Sequence, residues 1–281
     1  MIKTYRGFDH LYTKVADIRA ARDALQEMGF TTTSLDHQAA YSMGLGSVVF
    51  ESNWLAFSGP LGTDVPDDLE TIVSDETQIG ALPPHVAAQL TDLGVQPLLI
   101  LSATDLRTFV SECASLGLNP SPPEAYPRPT TTEEGAAEIL FEMTVTAPVM
   151  VDGTATIEVV GLKHLTPEIF FRSALLNHEN GAAGVASIHL PVSQTEGVSQ
   201  RLTELFGSRP SKNSTHTDWV VGDVGVRLGK NQQGTDIHVG DLRKTQATLS
   251  ARKIAFTVDA DAIKVNDPRL GGMELCFRQR G

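Results

Sequence analysis

Phe8-Asp-His-Leu-Tyr-Thr-Lys-Val-Ala-Asp17, followed by a helical run to Met28-Gly29-Phe30, is the stretch whose reading decides the fold. A short apolar strand gives way to an acidic helix start. Ile18, Ala21, Leu25 and Met28 then recur at steps of 3, 4 and 3, which is one apolar stripe of a helix. An Asp at the cap accepts the free amides of the first turn and suits the positive end of the dipole. Gly29 fits the left-handed position that ends a helix.

The same grammar recurs three more times. Pro97-Leu-Leu-Ile-Leu-Ser-Ala-Thr-Asp105 leads to Leu116-Gly117-Leu118, and Ala186-Ser-Ile-His-Leu-Pro-Val-Ser-Gln194 leads to Phe206-Gly207. Asp236-Ile-His-Val-Gly-Asp241 leads to Arg252-Lys253-Ile254. The spacing from cap to stop is 12, 12, 13 and 12 residues (17 to 29, 105 to 117, 194 to 207, 241 to 253). Each helix is followed by β-rich pieces. Residues 47–51 and 54–57 flank a Ser52-Asn53 turn, and 139–146 and 154–162 flank Asp152-Gly153, a strong hairpin signal. Residues 219–221 and 224–227 flank Gly222-Asp223, while 255–258 and 273–277 close the chain around Asp267-Pro-Arg-Leu-Gly-Gly. Residues 59–94 read as a Pro- and Asp-rich excursion with a short helix at 85–93, and 120–134 as an exposed Pro-rich loop. The expectation is an α+β fold of four βαβββ modules, paired into two cup-shaped mixed-sheet half-barrels. The first pair spans 1–162, a connecting segment 163–183 and the second pair 184–281.

Composition narrows the function. Of 281 residues, 41% are hydrophobic and 20% charged, as in a globular protein. With 22 Lys and Arg against 34 Asp and Glu the net charge is −12, and no basic cluster exceeds two or three residues. Nucleic acid and anionic membranes are therefore not expected partners, since phosphates need a concentrated positive face. No apolar run approaches the roughly 18 residues of a membrane span, and the N-terminus lacks a secretory pattern. The expected location is cytoplasmic. Cys113 and Cys276 are too few for a disulfide framework or a thiolate zinc site. Cys113 falls mid-helix and reads as packed.

The repeat, with Phe8-Asp-His-Leu…Val15-Ala-Asp17…Gly29-Phe30 and the ending Asp267-Pro…Met273-Glu-Leu275, resembles the vicinal-oxygen-chelate superfamily, in particular its glyoxalase-like, bleomycin-resistance and dioxygenase members. The segment Lys163-His-Leu-Thr-Pro-Glu168…Asn177-His-Glu-Asn-Gly-Ala182 is similar to a signature of one bacterial glyoxalase-like subgroup. The resemblance implies cups in which a divalent metal chelates two vicinal oxygens of a substrate, with ligands from the first and last strands of each module. Carried over residue by residue, module one offers His10 on its first strand and Ala56 on its last. Module two offers Leu98, then Glu158 and, six residues on, His164. A first cup lined by His10, Glu158 and His164 follows as a substrate-binding surface.

In the second pair, Glu274 stands seven residues after Asp267, where the resemblance puts a carboxylate. His189 and His238 lie on the first strands of modules three and four. Two imidazoles and a carboxylate form the triad that suits Fe, Mn, Ni or Zn. By register, though, the ligand positions fall at Ser187 and Gly234, so His189 sits two residues and His238 four from their places. Arg227 is a candidate partner for Glu274 without any metal. Alternative structural readings stand beside these. His189 and His238 could be hydrogen-bonded interior groups. Thr166-Pro167 could start a helix, and His178-Glu-Asn-Gly181 could end one. His37, His85 and His216 carry no signal.

Two functions follow. One is a metal-dependent lyase, isomerase or dioxygenase acting on a small oxygen-rich substrate, with the metal as Lewis acid and Glu274 as ligand or base. The other is a metal-free small-molecule binding protein, as drug-sequestering members of the superfamily are, favoured by Ala56, Leu98, Ser187 and Gly234 at ligand positions. A scaffold whose cups are filled with side chains is a third option. An acidic protein with few basic residues in its cups should take neutral or cation-bearing ligands unless a metal supplies positive charge. The oligomeric state is open.

Overall fold

The computed structural model describes residues 1–38, 43–60, 98–192, 194–207, 211–212, 217–229, 233–259 and 261–280. Of the excursion expected at 59–94, residues 59–60 end a strand, while the remainder with its expected helix, and His85 and His216, lie outside the described residues.

Four βαβββ units are present. In the first, β1 (Tyr5–Lys14) leads through α1 (Ile18–Glu27) to β2 (Asp36–Gln38), β3 (Met43–Val49) and β4 (Trp54–Pro60). In the second, β5 (Leu98–Ala103) and α2 (Leu106–Ser115) precede β6 (Glu124–Thr132), β7 (Gly135–Val145), a short β8 (Val149–Val151) and β9 (Thr154–His164). Two four-residue helices, α3 (Pro167–Phe170) and α4 (Ser173–Leu176), bridge to the third unit: β10 (Ala182–Pro191), α5 (Thr195–Phe206), β11 (Ser211–Lys212), β12 (Thr217–Val221) and β13 (Val224–Gly229). The fourth holds β14 (Gly234–Val239), α6 (Leu242–Ala251), β15 (Thr257–Asp259), β16 (Ala262–Asn266) and β17 (Glu274–Gln279).

The caps behave as the sequence demands. Asp17, Asp105 and Asp241 each accept first-turn amides through the side chain. Gln194 at the start of α5 makes no such bond. Gly29 and Gly117 sit at φ +85 and +76, and Lys253 takes the same left-handed role at φ 59.

The strands form two sheets, β2-β3-β4-β1-β5-β9-β7-β6 with β8 beside β9, and β11-β12-β13-β10-β14-β17-β16-β15. In each, the first strands of two units pair antiparallel (β1 with β5, β10 with β14). Each first strand also pairs parallel with the last strand of its own unit. The repeat extends to irregularities. β1 skips register at Tyr5/Gly7 and Phe8/His10, and β10 skips at Ala182/Gly184 and Val185/Ser187. Each skip leaves an extra residue on one strand, so two neighbouring side chains turn the same way.

Two expectations are corrected here. Residues 120–134 are not a loop, because Glu124–Thr132 is the strand β6. Pro127 and Pro129 lie two apart at the sheet's edge, so both missing N–H groups fall on one side of the strand, the side that pairs with no strand among the described residues. A strand at Ala262–Asn266, between the two closing strands read from sequence, was hidden by its mixed composition.

One contiguous apolar core joins the helix-facing sides of both sheets. It runs from Phe8, Leu11 and Ile18 through Leu99 and Phe109 to Ile188, Leu202, Ile237 and Phe277. Asn180 ties the halves together, donating from Nδ2 to Met28 O at 3.0 Å while Thr245 Oγ1 donates to its carbonyl at 2.7 Å. Asn53 Oδ1 accepts from Val185 N at 2.9 Å. Each sheet therefore has one face against the helices and one open, cup-forming face.

Candidate functional site

Strand register fixes what lines each open face. In the first sheet His10 stands opposite Trp54 across β4, and Leu98 opposite Glu158 across β9. In the second, Ser187 stands opposite Gly225 and Gly234 opposite Glu274. The module-one counterpart of Glu158 is thus Trp54, not Ala56, which pairs with Tyr12. The positions from which the resemblance draws ligands carry His10, Trp54, Leu98 and Glu158 in one cup, and Ser187, Gly225, Gly234 and Glu274 in the other.

The first cup is filled from within. Asp9, which the bulge at Phe8/His10 turns to the same side as His10, is a buried carboxylate with three partners. His10 Nδ1 lies 2.7 Å and Trp54 Nε1 2.9 Å from its Oδ1, and His164 Nε2 lies 3.2 Å from Oδ2. Burial pushes the Asp9 carboxyl up, but the bonds from His10 and His164 prevail and hold it well below the usual carboxylate range. Burial also lowers the His10 imidazole, against the pull of Asp9. The His10 ring stacks on Trp54 at 3.7 Å, Phe170 packs edge-on to Trp54 at 4.9 Å, and His164 stacks on Phe170 at 5.5 Å. The segment after β9 therefore closes this end of the cup. His10 and His164 meet, through an Asp that alternation alone did not reveal. Glu158 is buried farther along β9, in the row of Leu98. Arg128, from the strand expected to be a loop, faces Ile139 across β7, and burial lowers its guanidinium to about 10, helped by the charge of Arg172.

His178 is structural. Its Nδ1 accepts from Thr31 N at 3.1 Å and its Nε2 donates to Val49 O at 3.0 Å, with burial lowering its pKa.

The second cup is polar and reached by solvent. One row across it reads Gly225, Ser187, Asp236, Cys276, and the next Arg227, His189, Gly234, Glu274. Asp236 Oδ2 accepts from Ser187 Oγ at 2.8 Å and Arg278 Nε at 3.1 Å. Arg227 donates from Nε to Asp218 at 2.9 Å and from Nη1 to His189 Nε2 at 3.2 Å. Side-chain exposure is 18% at His189, 29% at Arg227 and 32% at Arg278, against 6% at Asp236. Burial raises the Asp236 carboxyl, but His189, Ser187 and Arg278 together hold it well below the ordinary range. Cys276 beneath it is pushed up to about 12, by burial first and then by the Asp236 charge.

The expected triad is not gathered. Glu274 and His189 flank Gly234, but His238 stands opposite Arg278, four residues along β14 and so roughly 13 Å away. Its pKa is lowered by burial and by Arg280. Glu274 meets Asn266 Nδ2 at 3.5 Å, and the guanidinium of Arg227 is turned to Asp218 and His189 rather than to Glu274. Among the described residues no group of three or more His, Cys, Asp or Glu could hold a metal ion. A divalent metal does not fit these donors: the second cup keeps one carboxylate at its four ligand positions, and the first cup commits His10 to Asp9 and Trp54. The basic groups Arg227 and Arg278 are more numerous in this cup than the sequence suggested, since Arg278 lies outside every motif.

No protein-family model and no curated protein matches the sequence. Solved structures do. A hypothetical protein from Staphylococcus aureus aligns over 97% of this chain and 99% of its own, with TM-score 0.64 and 10% identity. A triple-substituted 4-hydroxymandelate synthase from Streptomyces coelicolor aligns over 98% and 93%, with TM-score 0.55 and 14% identity. A fusion of a xylose isomerase-like TIM barrel with a 4-hydroxyphenylpyruvate dioxygenase aligns over 100% of this chain and 50% of its own, with TM-score 0.55 and 10% identity. The chain shares the fold of these structures, a synthase and a dioxygenase fusion among them. At such identities the likeness is one of fold alone. Among the described residues no helix is long and apolar enough to cross a membrane.

Proposed function

We propose that this protein is a metal-independent small-molecule binding protein that takes its ligand in the cup of the second sheet. The observation that carries this reading is the register. Ser187, Gly225, Gly234 and Glu274 occupy the positions from which the fold would hold a metal, and they offer one imidazole-free, single-carboxylate set. The first cup is closed by Phe170, Trp54 and its own histidines, whereas the second keeps half-buried hydrogen-bonding side chains over a floor of Gly225, Gly234, Ser187 and Cys276. Fixed polar groups that solvent reaches can orient a ligand.

The rival is a metal-dependent enzyme on a small oxygen-rich substrate. The names of two structural neighbours, a synthase and a dioxygenase fusion, favour it. Metal analysis of protein purified without chelators or a nickel column separates the two. Substoichiometric metal, and a melting temperature unmoved by a chelator, is the expected result. About one equivalent of Fe, Mn, Ni or Zn that disappears on Glu274→Ala or His189→Ala would overturn the proposal.

A further inference from the structure

Asp236 in the second cup has one oxygen too many. Its Oδ2 is saturated by Ser187 and Arg278. Its Oδ1 is buried and has no hydrogen-bond partner. His189 Nε2 stands 3.4 Å away, and the Cys276 thiol beneath the carboxylate is only a weak donor. That nitrogen faces Arg227 Nη1 at 3.2 Å, and a guanidinium can only donate. Nε2 can serve only one of the two at a time, and where it accepts from Arg227 it leaves Asp236 Oδ1 without a donor. A carboxylate oxygen buried without a donor is costly, and such groups in folded proteins usually have a function.

Charge points the same way. The open face carries the carboxylates Asp218, Asp236 and Glu274 against the guanidiniums Arg227 and Arg278, with Asp261 adding a further negative charge where Arg278 Nη1 meets it at 2.9 Å. Lys264, in the row of Cys276, is engaged by Asp259 at 2.6 Å. Negative groups are in excess. The glycines of the cup let its polar side chains close in: a Cβ added at Gly234 would come within 2.9 Å of His189 Nδ1, and one at Gly225 within 3.0 Å of the Ser187 side chain.

We infer that Asp236 anchors the ligand of this cup through Oδ1, and that the ligand is a small molecule bearing a protonated amine. This rests on the second cup being the binding chamber, and it goes further by naming the recognition chemistry. An ammonium supplies both the missing donor and the missing positive charge, in a charge-assisted bond. A neutral hydroxyl would supply only the first.

The test is titration of the whole protein with ethanolamine, benzylamine and tyramine, each against its neutral counterpart ethylene glycol, benzyl alcohol or tyrosol, followed by calorimetry and NMR. At least one amine should bind at least tenfold more tightly than its alcohol. Asp236→Asn should weaken that amine at least tenfold. With its oxygen held by Ser187 and Arg278, the Asn side chain keeps the shape of Asp236 and removes only its negative charge, so the fold is kept. Should this variant not fold, the Asp236 carboxyl carbon signal of the wild-type protein on amine addition gives the answer, and a stationary signal counts against the inference. Alcohols binding as well as amines, amine binding that survives D236N, or no amine binding at all would each overturn it. In the first of these cases a small molecule still occupies the cup, so the broader reading stands while the amine falls.

Discussion

Asp9 shows how one side chain can govern a cup. A carboxylate with almost no water contact is held by two imidazoles and an indole N–H, and each of those three groups depends on it in turn. Asp9→Ala would leave His10, His164 and Trp54 Nε1 buried without an acceptor. Removing one member of such a buried network costs roughly 3–5 kcal/mol, so urea denaturation should show a midpoint shift of that size; a loss under about 1 kcal/mol would mean that the network behaves like a surface pair. His10 was legible in the sequence from its distance to Asp17. Asp9 was not, because strict alternation sends neighbours to opposite faces and only the bulge after Phe8 brings both to one side.

Among the elements, the helices were the most legible. Their caps and stops are local chemistry, set by Asp17, Asp105, Asp241, Gly29 and Gly117 within a few residues of the structure they control. Among the four long helices the exception is α5, whose cap residue Gln194 makes no side-chain bond. Gln194→Asp should therefore stabilise the protein by about 1 kcal/mol, raising the melting temperature by roughly 2–4 °C; calorimetry that shows no rise would indicate that the first-turn amides of α5 are already satisfied. The edge strand β6 was illegible for a different reason. Pro-rich composition reads as loop, and only the position of β6 beside β7, at the edge of the sheet among the described residues, makes two prolines acceptable.

For the molecule as a whole, the shared core and the buried titratable groups set its behaviour. Helix-facing residues of both sheets belong to one apolar cluster, so calorimetry should give a single cooperative transition; two resolved transitions would show that the sheets fold separately. Acid should act in two stages. His10 and His178, lowered mainly by burial, stay neutral in the fold, while the unfolded chain takes up protons near pH 6.5. Stability present above that pH is therefore lost as pH falls through it. Asp9 and Asp236, held low in the fold, add stability that persists above about pH 3.9 and is lost only as pH falls further toward their depressed values. Urea midpoints measured from pH 8 to pH 3 should fall first between about 7.5 and 5.5 and again below about 4. A flat profile across the upper window would contradict neutral, buried histidines.

What the sequence determined by itself is the repeat: four strand–helix–strand units, their caps, their turns and the inward face of most strands. These follow from interactions within about a dozen residues and from periodicities that a single chain displays. Tertiary structure alone decided which residues share a row. His189, His238 and Glu274 have the chemistry of a metal triad on paper, yet pairing of β14 with β17 sets Glu274 beside Gly234 and carries His238 to Arg278. Asp236, the buried carboxylate between Ser187, His189 and Arg278, opens the fourth repeat yet gave no sign of its role, because its partners come from two other strands, β10 and β17, whose register is fixed only when the sheet closes.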